Sequence, residues 1–221
     1  MNKILLIGGS LVIVVGLILG YDWVRGSKEN TCPTLQSPVD TGLVTSVLYP
    51  GQLRGGDYKA HGGFRLDGLK TNDVVVRAPI SAKLIRAGRY IEIGELQYIF
   101  IFETDCGLKY RFDHLRTVAP KFQSMVEKLP TAVEGRSNFV TVRPTIKVET
   151  GEVIATAVGF KQSGTPNVSF DFGVYSGFGD KGLCWLDLLP PEDTTRLKAL
   201  PGGDHQSGKT SDYCNGTTHE Q

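Results

Sequence analysis

Imidazole and carboxylate side chains are the groups in this chain best suited to acid–base or metal chemistry near neutral pH. Two of the four histidines stand in informative surroundings. His61 opens the stretch His61-Gly62-Gly63-Phe64-Arg65-Leu66-Asp67, and His114 lies in Tyr110-Arg111-Phe112-Asp113-His114-Leu115. Further along, Ser169-Phe170-Asp171-Phe172 sets a carboxylate between two aromatics. Residues two apart on a strand share a face, so His61, Gly63, Arg65 and Asp67 look one way. By the same rule Asp171 points away from Phe170 and Phe172, toward solvent or a cleft. Ser169 has no group that titrates near neutrality and cannot itself relay protons. Taken singly, His61 beside two glycines also reads as a turn residue. His114 also reads as a strand histidine bonded to Asp113 or to a backbone carbonyl. The cysteines are Cys32, Cys106, Cys184 and Cys214. No two have CxxC spacing, so a zinc ribbon is not expected. An even count in an exported domain favours disulfides, with three connectivities open.

The elements that must hold these groups are short. Hydrophobic residues make up 40% of the chain, and 27 glycines with 11 prolines suit many strands joined by turns. Apolar stretches recur at 74–76, 82–85, 91–93, 97–102, 109–112, 139–142, 146–148, 153–157 and 168–175, each bounded by turn residues. No helical stretch between them is long enough for a βαβ crossover, so an antiparallel all-β core is expected. One short helix is expected over 120–129, where Phe122, Met125, Val126 and Leu129 fall at helical spacing. A further helical turn is expected near 185–189. Residues 4–20 carry no charge and a single polar side chain, Ser10, near the lower limit for crossing a bilayer. Every cysteine follows that run. The expected organisation is an anchor or signal segment at 1–22, a linker at 23–43, a β-domain at 44–190 and a polar tail at 191–221. The expected location is a single-pass membrane protein with its C-terminal domain extracytoplasmic. Fully extended, residues 21–40 reach at most about 70 Å. The net charge of +1, with no basic block, argues against a nucleic-acid partner.

The order of four segments resembles the lysostaphin/LytM-type zinc metallopeptidases, which cut peptidoglycan cross-bridges. The segments are His61 to Asp67, Val76-Arg77-Ala78-Pro79, Tyr110 to Leu115, and Val148-Glu149-Thr150-Gly151-Glu152-Val153-Ile154 leading into Ser169 to Val174. In that family they read H-x-G-x-D, V-x-A-P, Y-x-H-L, and a V-x-x-G-x-x-I hairpin before H-L-H-F-E. The resemblance implies a LytM-like fold (a duplicated hybrid motif) over 44–190. It further implies that His61 keeps a zinc-ligand position and His114 a proton-handling one, the catalytic residue if the domain is active. The family's aspartate ligand is replaced by Arg65, and its H-x-H pair by Ser169 and Asp171. Arg65 cannot coordinate a cation. An Arg65–Asp171 ion pair is therefore expected in the metal's place. No cofactor is expected on that reading. The alternative is Zn2+ held by His61, Asp67 and Asp171, which needs a bulge to draw Asp67 back by about 6.5 Å. The implied binding groove lies over His61, Arg65, His114, Ser169 and Asp171. The implied function is a membrane-anchored domain that binds or regulates peptidoglycan or an envelope protein rather than cutting it. Two alternatives are an active zinc metallopeptidase with an altered ligand set, and a structural element of an envelope complex.

Overall fold

The apolar stretches do become strands, and their alternation decides which face of the sheet is dry. The computed structural model describes residues 32–160, 167–176, 181–203 and 207–214. The expected anchor at 1–22 and the linker up to residue 31 lie outside the described residues. The strands are β1 (Ser46–Leu48), β2 (Gln52–Arg54), β3 (Asp57–Lys59), β4 (Gly62–Asp67), β5 (Val76–Arg77) and β6 (Ala82–Glu92). They continue as β7 (Glu95–Glu103), β8 (Leu108–Val118), β9 (Asn138–Val148), β10 (Val153–Val158) and β11 (Asn167–Ser176). One sheet runs β1-β4-β11-β8-β7-β6-β9, with β10 bridging β5 and β8, while β2 and β3 form a separate hairpin. The strand pairings are antiparallel. The mainly antiparallel β-architecture expected from the sequence is what the chain adopts.

One face of the sheet buries an aromatic stack. Phe64, Phe112, Phe170, Phe172 and Trp185 are all fully buried. The Phe64 and Phe170 rings stack 5.5 Å apart, Phe112 and Phe172 5.3 Å apart, and Trp185 lies 4.8 Å from Phe64. Such rings bury more area than any other side chains and dominate the core's energetics. Phe172 faces this core, so Asp171 and Gly173 on either side of it face the opposite way. The site therefore belongs to the second face.

Two helices flank the sheet. The expected helix over 120–129 is a 3-10 turn (Pro120–Phe122) continuing into α1 (Gln123–Val126), with Phe122 and Val126 buried. The turn near 185–189 is a 3-10 helix, Trp185–Leu188. The second helix, α2 (Pro191–Ala199), lies at the start of the polar tail expected at 191–221. Pro191 opens it, Glu192 and Asp193 sit in its first turn, and Arg196 and Lys198 in its last, each favourable to the helix dipole. Its one buried residue, Leu197, is fully covered. Beyond it, the Val47 amide donates to Pro201 and the Gly203 amide to Val47, which covers the outer edge of β1. Residues 207–214 wrap β2: Gln52 donates to the Gly208 and Thr210 carbonyls, and Cys184–Cys214 closes the segment covalently. The linker likewise ends early. Cys32 is bonded to Cys106, and Leu35 is 1% exposed with its amide on Leu188. Among the described residues no helix is long and apolar enough to cross a membrane.

Gly62 is where β4 crosses closest to its surroundings. A Cβ there would fall 2.2 Å from the Leu48 carbonyl oxygen and 2.7 Å from Trp185 Nε1. The first neighbour is backbone and cannot step aside without parting β1 from β4. Gly62→Ala is expected to cost about 2 kcal/mol through overpacking, read as a lower urea midpoint at unchanged slope. An unchanged midpoint would show that the β1–β4 contact is looser than described.

Candidate functional site

The polar face of the sheet gathers a cluster centred on the Asp171 carboxylate. Asp171 lies on β11 opposite Gly63 of β4. A Cβ on Gly63 would stand 3.3 Å from Asp171 Oδ1 and only 2.5 Å from the Phe170 carbonyl, so glycine is what makes room there. His61, just before β4, places Nε2 2.9 Å from Asp171 Oδ2. Gly173 helps: a Cβ at that position would meet His61 Cβ at 2.8 Å. From the other side, His114 Nε2 stands 3.6 Å from the same oxygen. The three side chains are largely covered, at 12% exposure for His61, 19% for Asp171 and 13% for His114.

His114 reaches this place through a distortion of β8. Phe112 pairs with Phe100 and Leu115 with Tyr98, so Asp113 and His114 together oppose the single residue Ile99. His114 takes up the extra residue with φ of 60°, a left-handed conformation uncommon outside glycine. Asp113 and His114 thereby join one hydrogen-bonded cluster. The His114 backbone amide donates to Asp113 Oδ1 at 2.9 Å, and the Tyr90 hydroxyl donates to the same oxygen. Arg111 donates to Asp113 Oδ2. His114 Nδ1 is 2.6 Å from Gln97 Oε1 and 3.1 Å from the Tyr90 hydroxyl. Glu92 lies 3.6 Å from Nδ1, and the Phe160 ring packs 4.7 Å from the imidazole. Register brings Tyr90 and Gln97 together, since they pair directly across the β6–β7 hairpin.

These surroundings decide the charges. Burial alone would strip the proton from His114. The close pairing with Asp171, 3.6 Å away, and the charges of Asp113 and Glu92 outweigh burial and hold the imidazolium up to about 9. Burial also works against the Asp171 carboxylate, yet the ion pair with His114 and the hydrogen bond from His61 hold its carboxyl well below the usual range. With His114 doubly protonated, Nε2–H faces Asp171 and Nδ1–H donates to the Gln97 carbonyl oxygen. Both nitrogens are then engaged as donors.

The sign of the pH dependence follows. His114 has a folded value above its ordinary 6.5, so its contribution is complete below about pH 6.5 and is lost as pH rises through about 9. A shift of that size corresponds to about 3 kcal/mol. Asp171 has the opposite sign: its contribution is present above about pH 4 and is lost as pH falls through the depressed folded value. Both describe one ion pair and are not added. Urea unfolding is expected to show a plateau from about pH 4 to 6.5 and a midpoint that declines above it. A midpoint that climbs between pH 7 and 9 would contradict this assignment.

The structure brings together His61, His114 and Asp171, and separates the other expected residues from them. Arg65 does not form the expected pair with Asp171. It stands opposite Ser169 on β11 and Ser46 on β1, and its guanidinium donates to the Gly203 carbonyl at 2.7 Å. Asp67 ends β4 opposite Asn167, and its carboxylate accepts from the Thr45 hydroxyl at 3.1 Å. No bulge in the β4–β11 register draws Asp67 back. Ser169, opposite Arg65, lies two residues before Asp171 on the same strand. Among the described residues no group of three or more His, Cys, Asp or Glu is arranged to hold a metal ion. The residues do not fit the zinc site that the resemblance implies, because Arg65 occupies a ligand position and Asp67 is held elsewhere. Asp113 was expected as a partner of His114, and it is one through the His114 backbone amide; Tyr90, Glu92 and Gln97 were not anticipated. The available signal was Gln97 itself, a polar residue heading an apolar strand and 0% exposed.

Fold and site together define an antiparallel β-domain with a buried histidine–carboxylate–histidine cluster on one sheet face. No family model matches the chain, and no curated protein or solved structure matches it.

Proposed function

We propose that this chain is a LytM-like, membrane-anchored domain facing away from the cytoplasm, and that it binds or regulates a cell-wall or envelope component without cutting it. The observation that carries this reading is the Asp171 carboxylate held between His61 and His114. In the peptidase pattern those positions surround a metal. Here the carboxylate is flanked by two imidazoles instead, and His114 holds a proton at neutral pH rather than standing ready to accept one. A general base must be deprotonated at its working pH, so this arrangement suits binding better than hydrolysis. The two disulfides agree with an oxidising compartment. The apolar run at 4–20 supplies the anchor in this reading.

The test combines metal analysis of the purified full-length protein with two assays on cross-linked peptidoglycan, co-sedimentation and release of soluble fragments. Co-sedimentation without fragment release or stoichiometric zinc is expected. Zinc at one equivalent, with fragment release abolished by His114→Ala, would establish the alternative, an active metallopeptidase with an altered ligand set. Neither sedimentation nor release, with a protein neighbour captured by crosslinking in intact cells, would favour a structural element of an envelope complex.

A further inference from the structure

Beside the histidine–carboxylate cluster, the same sheet face carries a groove of about 500 Å³, within the range of small-ligand sites. Lys59 of β3, Arg86 of β6, and Lys109 and Arg111 of β8 line it, and among the described residues no Asp or Glu does. Folding has brought four cations from three strands to one concavity. The two guanidiniums are the informative ones. Arg86 lies over the Phe139 ring with its central carbon 4.7 Å from the centroid. Stacking engages the flat face of a guanidinium and leaves its in-plane N–H donors for another partner. Arg111 gives one arm to Asp113 and lies beside Tyr175, and its guanidinium lines the groove. The remaining wall includes His61 of the cluster, the apolar Ile85 and Ile101, and the aromatics Phe139 and Tyr175 flanking the charges.

Such a groove selects on two criteria at once. Its ligand needs an acceptor that a guanidinium fork can grip, and an apolar portion within a few ångströms of that charge. A carboxylate on a short peptide meets both, because the charged group and an apolar side chain sit on one small backbone. A polyphosphate backbone meets only the first. The chain's net charge of +1 also lacks the basic excess that counterion release on nucleic acid draws on. We propose that the groove binds a short peptide segment bearing a carboxylate, gripped by Arg86 and Arg111 with an apolar side chain against Phe139 and Tyr175. This rests on the reading of the domain as a binding module and names the chemistry of what it binds.

The experiment is a titration of the full-length protein in detergent with acetyl-leucyl-glutamate, with its diamide counterpart acetyl-leucyl-glutamine amide, and with inorganic phosphate, followed by calorimetry. The acidic peptide is expected to bind at least ten-fold more tightly than the diamide. Arg86→Gln is expected to weaken it by a further ten-fold or more, and Arg86→Lys, which keeps the charge and loses the fork, by several-fold. Each variant's melting curve checks that the fold is retained. Equal affinity for the peptide and its diamide, no binding of either, or phosphate binding tighter than peptide overturns the proposal. So does peptide affinity untouched by both Arg86 variants. The broader reading fails separately. If the peptide binds as described but neither wall material nor an envelope protein associates with the chain, the groove stands and its proposed setting falls.

Discussion

Asp171→Asn is expected to destabilise the domain by about 3 kcal/mol and to lower the titration point of His114 from its present value near 9. Asparagine keeps the shape of the side chain and removes its charge. Two imidazoles then face an amide, and His114 stays largely covered at 13% exposure. Removing one member of a buried ion pair costs more than the pair contributes, because the survivor is left charged and poorly solvated. His114 responds by giving up its proton more readily, since burial then meets less opposition. The two readouts are a urea unfolding curve and the imidazole proton shifts followed against pH. Asp67→Asn serves as the reference. That carboxylate is exposed and bonded to Thr45, and its loss is expected to stay within about 0.5 kcal/mol. Equal effects from the two substitutions would falsify the placement of Asp171 at the centre of the cluster.

Replacing Cys32 and Cys106 together by serine is expected to cost about 4 kcal/mol, as estimated from the 74-residue separation that the bond spans. The corresponding change at Cys184 and Cys214, separated by 30 residues, is expected to cost slightly less by the same chain-entropy argument. The two should differ more clearly in what they loosen. Without Cys32–Cys106, the stretch from residue 32 to β1 retains Leu35 and Val39 in the core but loses its covalent stop. Without Cys184–Cys214, residues 207–214 depend on hydrogen bonds such as that from Ser211 to the Pro50 carbonyl. Hydrogen exchange is the discriminating measurement: faster exchange at the Leu35 and Gln36 amides in the first variant, and at the Asp212 and Cys214 amides in the second. Unchanged exchange at both places in both variants would mean that packing alone fixes these ends.

The strand pattern was legible because burial repeats every second residue, and a run such as 97–102 announces its own conformation. The candidate site was legible only in part, and the reason is geometric. Alternation says which face Asp171 and Arg65 occupy but not which residue each meets. A slip of two residues leaves every side chain on its proper face and the hydrophobic pattern unchanged. The expected Arg65–Asp171 pair is one such slip away from the observed register, in which Arg65 meets Ser169 and Asp171 meets Gly63. The bulge at His114 was equally hidden, since nothing in Phe112-Asp113-His114-Leu115 marks an extra residue until β7 is laid beside it. Tyr90 and Gln97 became site residues through the same pairing. The packing of the polar tail was hidden for another reason. Composition weighs averages, whereas α2 and the segment after it are held by a few strong attachments: Leu197, one disulfide, and backbone bonds to the edge of β1.

The bond between Cys32 and Cys106 also settles how the domain would bear a load. Cys106 lies in the turn joining β7 to β8, so tension arriving along the chain from residue 31 passes covalently into the middle of the sheet. The stretch between residue 32 and β1 is bypassed, and peeling it away strand by strand is no longer the easy route of failure. β7 and β8 are instead pulled at their shared end while β6 and β11 grip their outer sides. A load entering through this bond must part the sheet at its centre before the N-terminal stretch gives way.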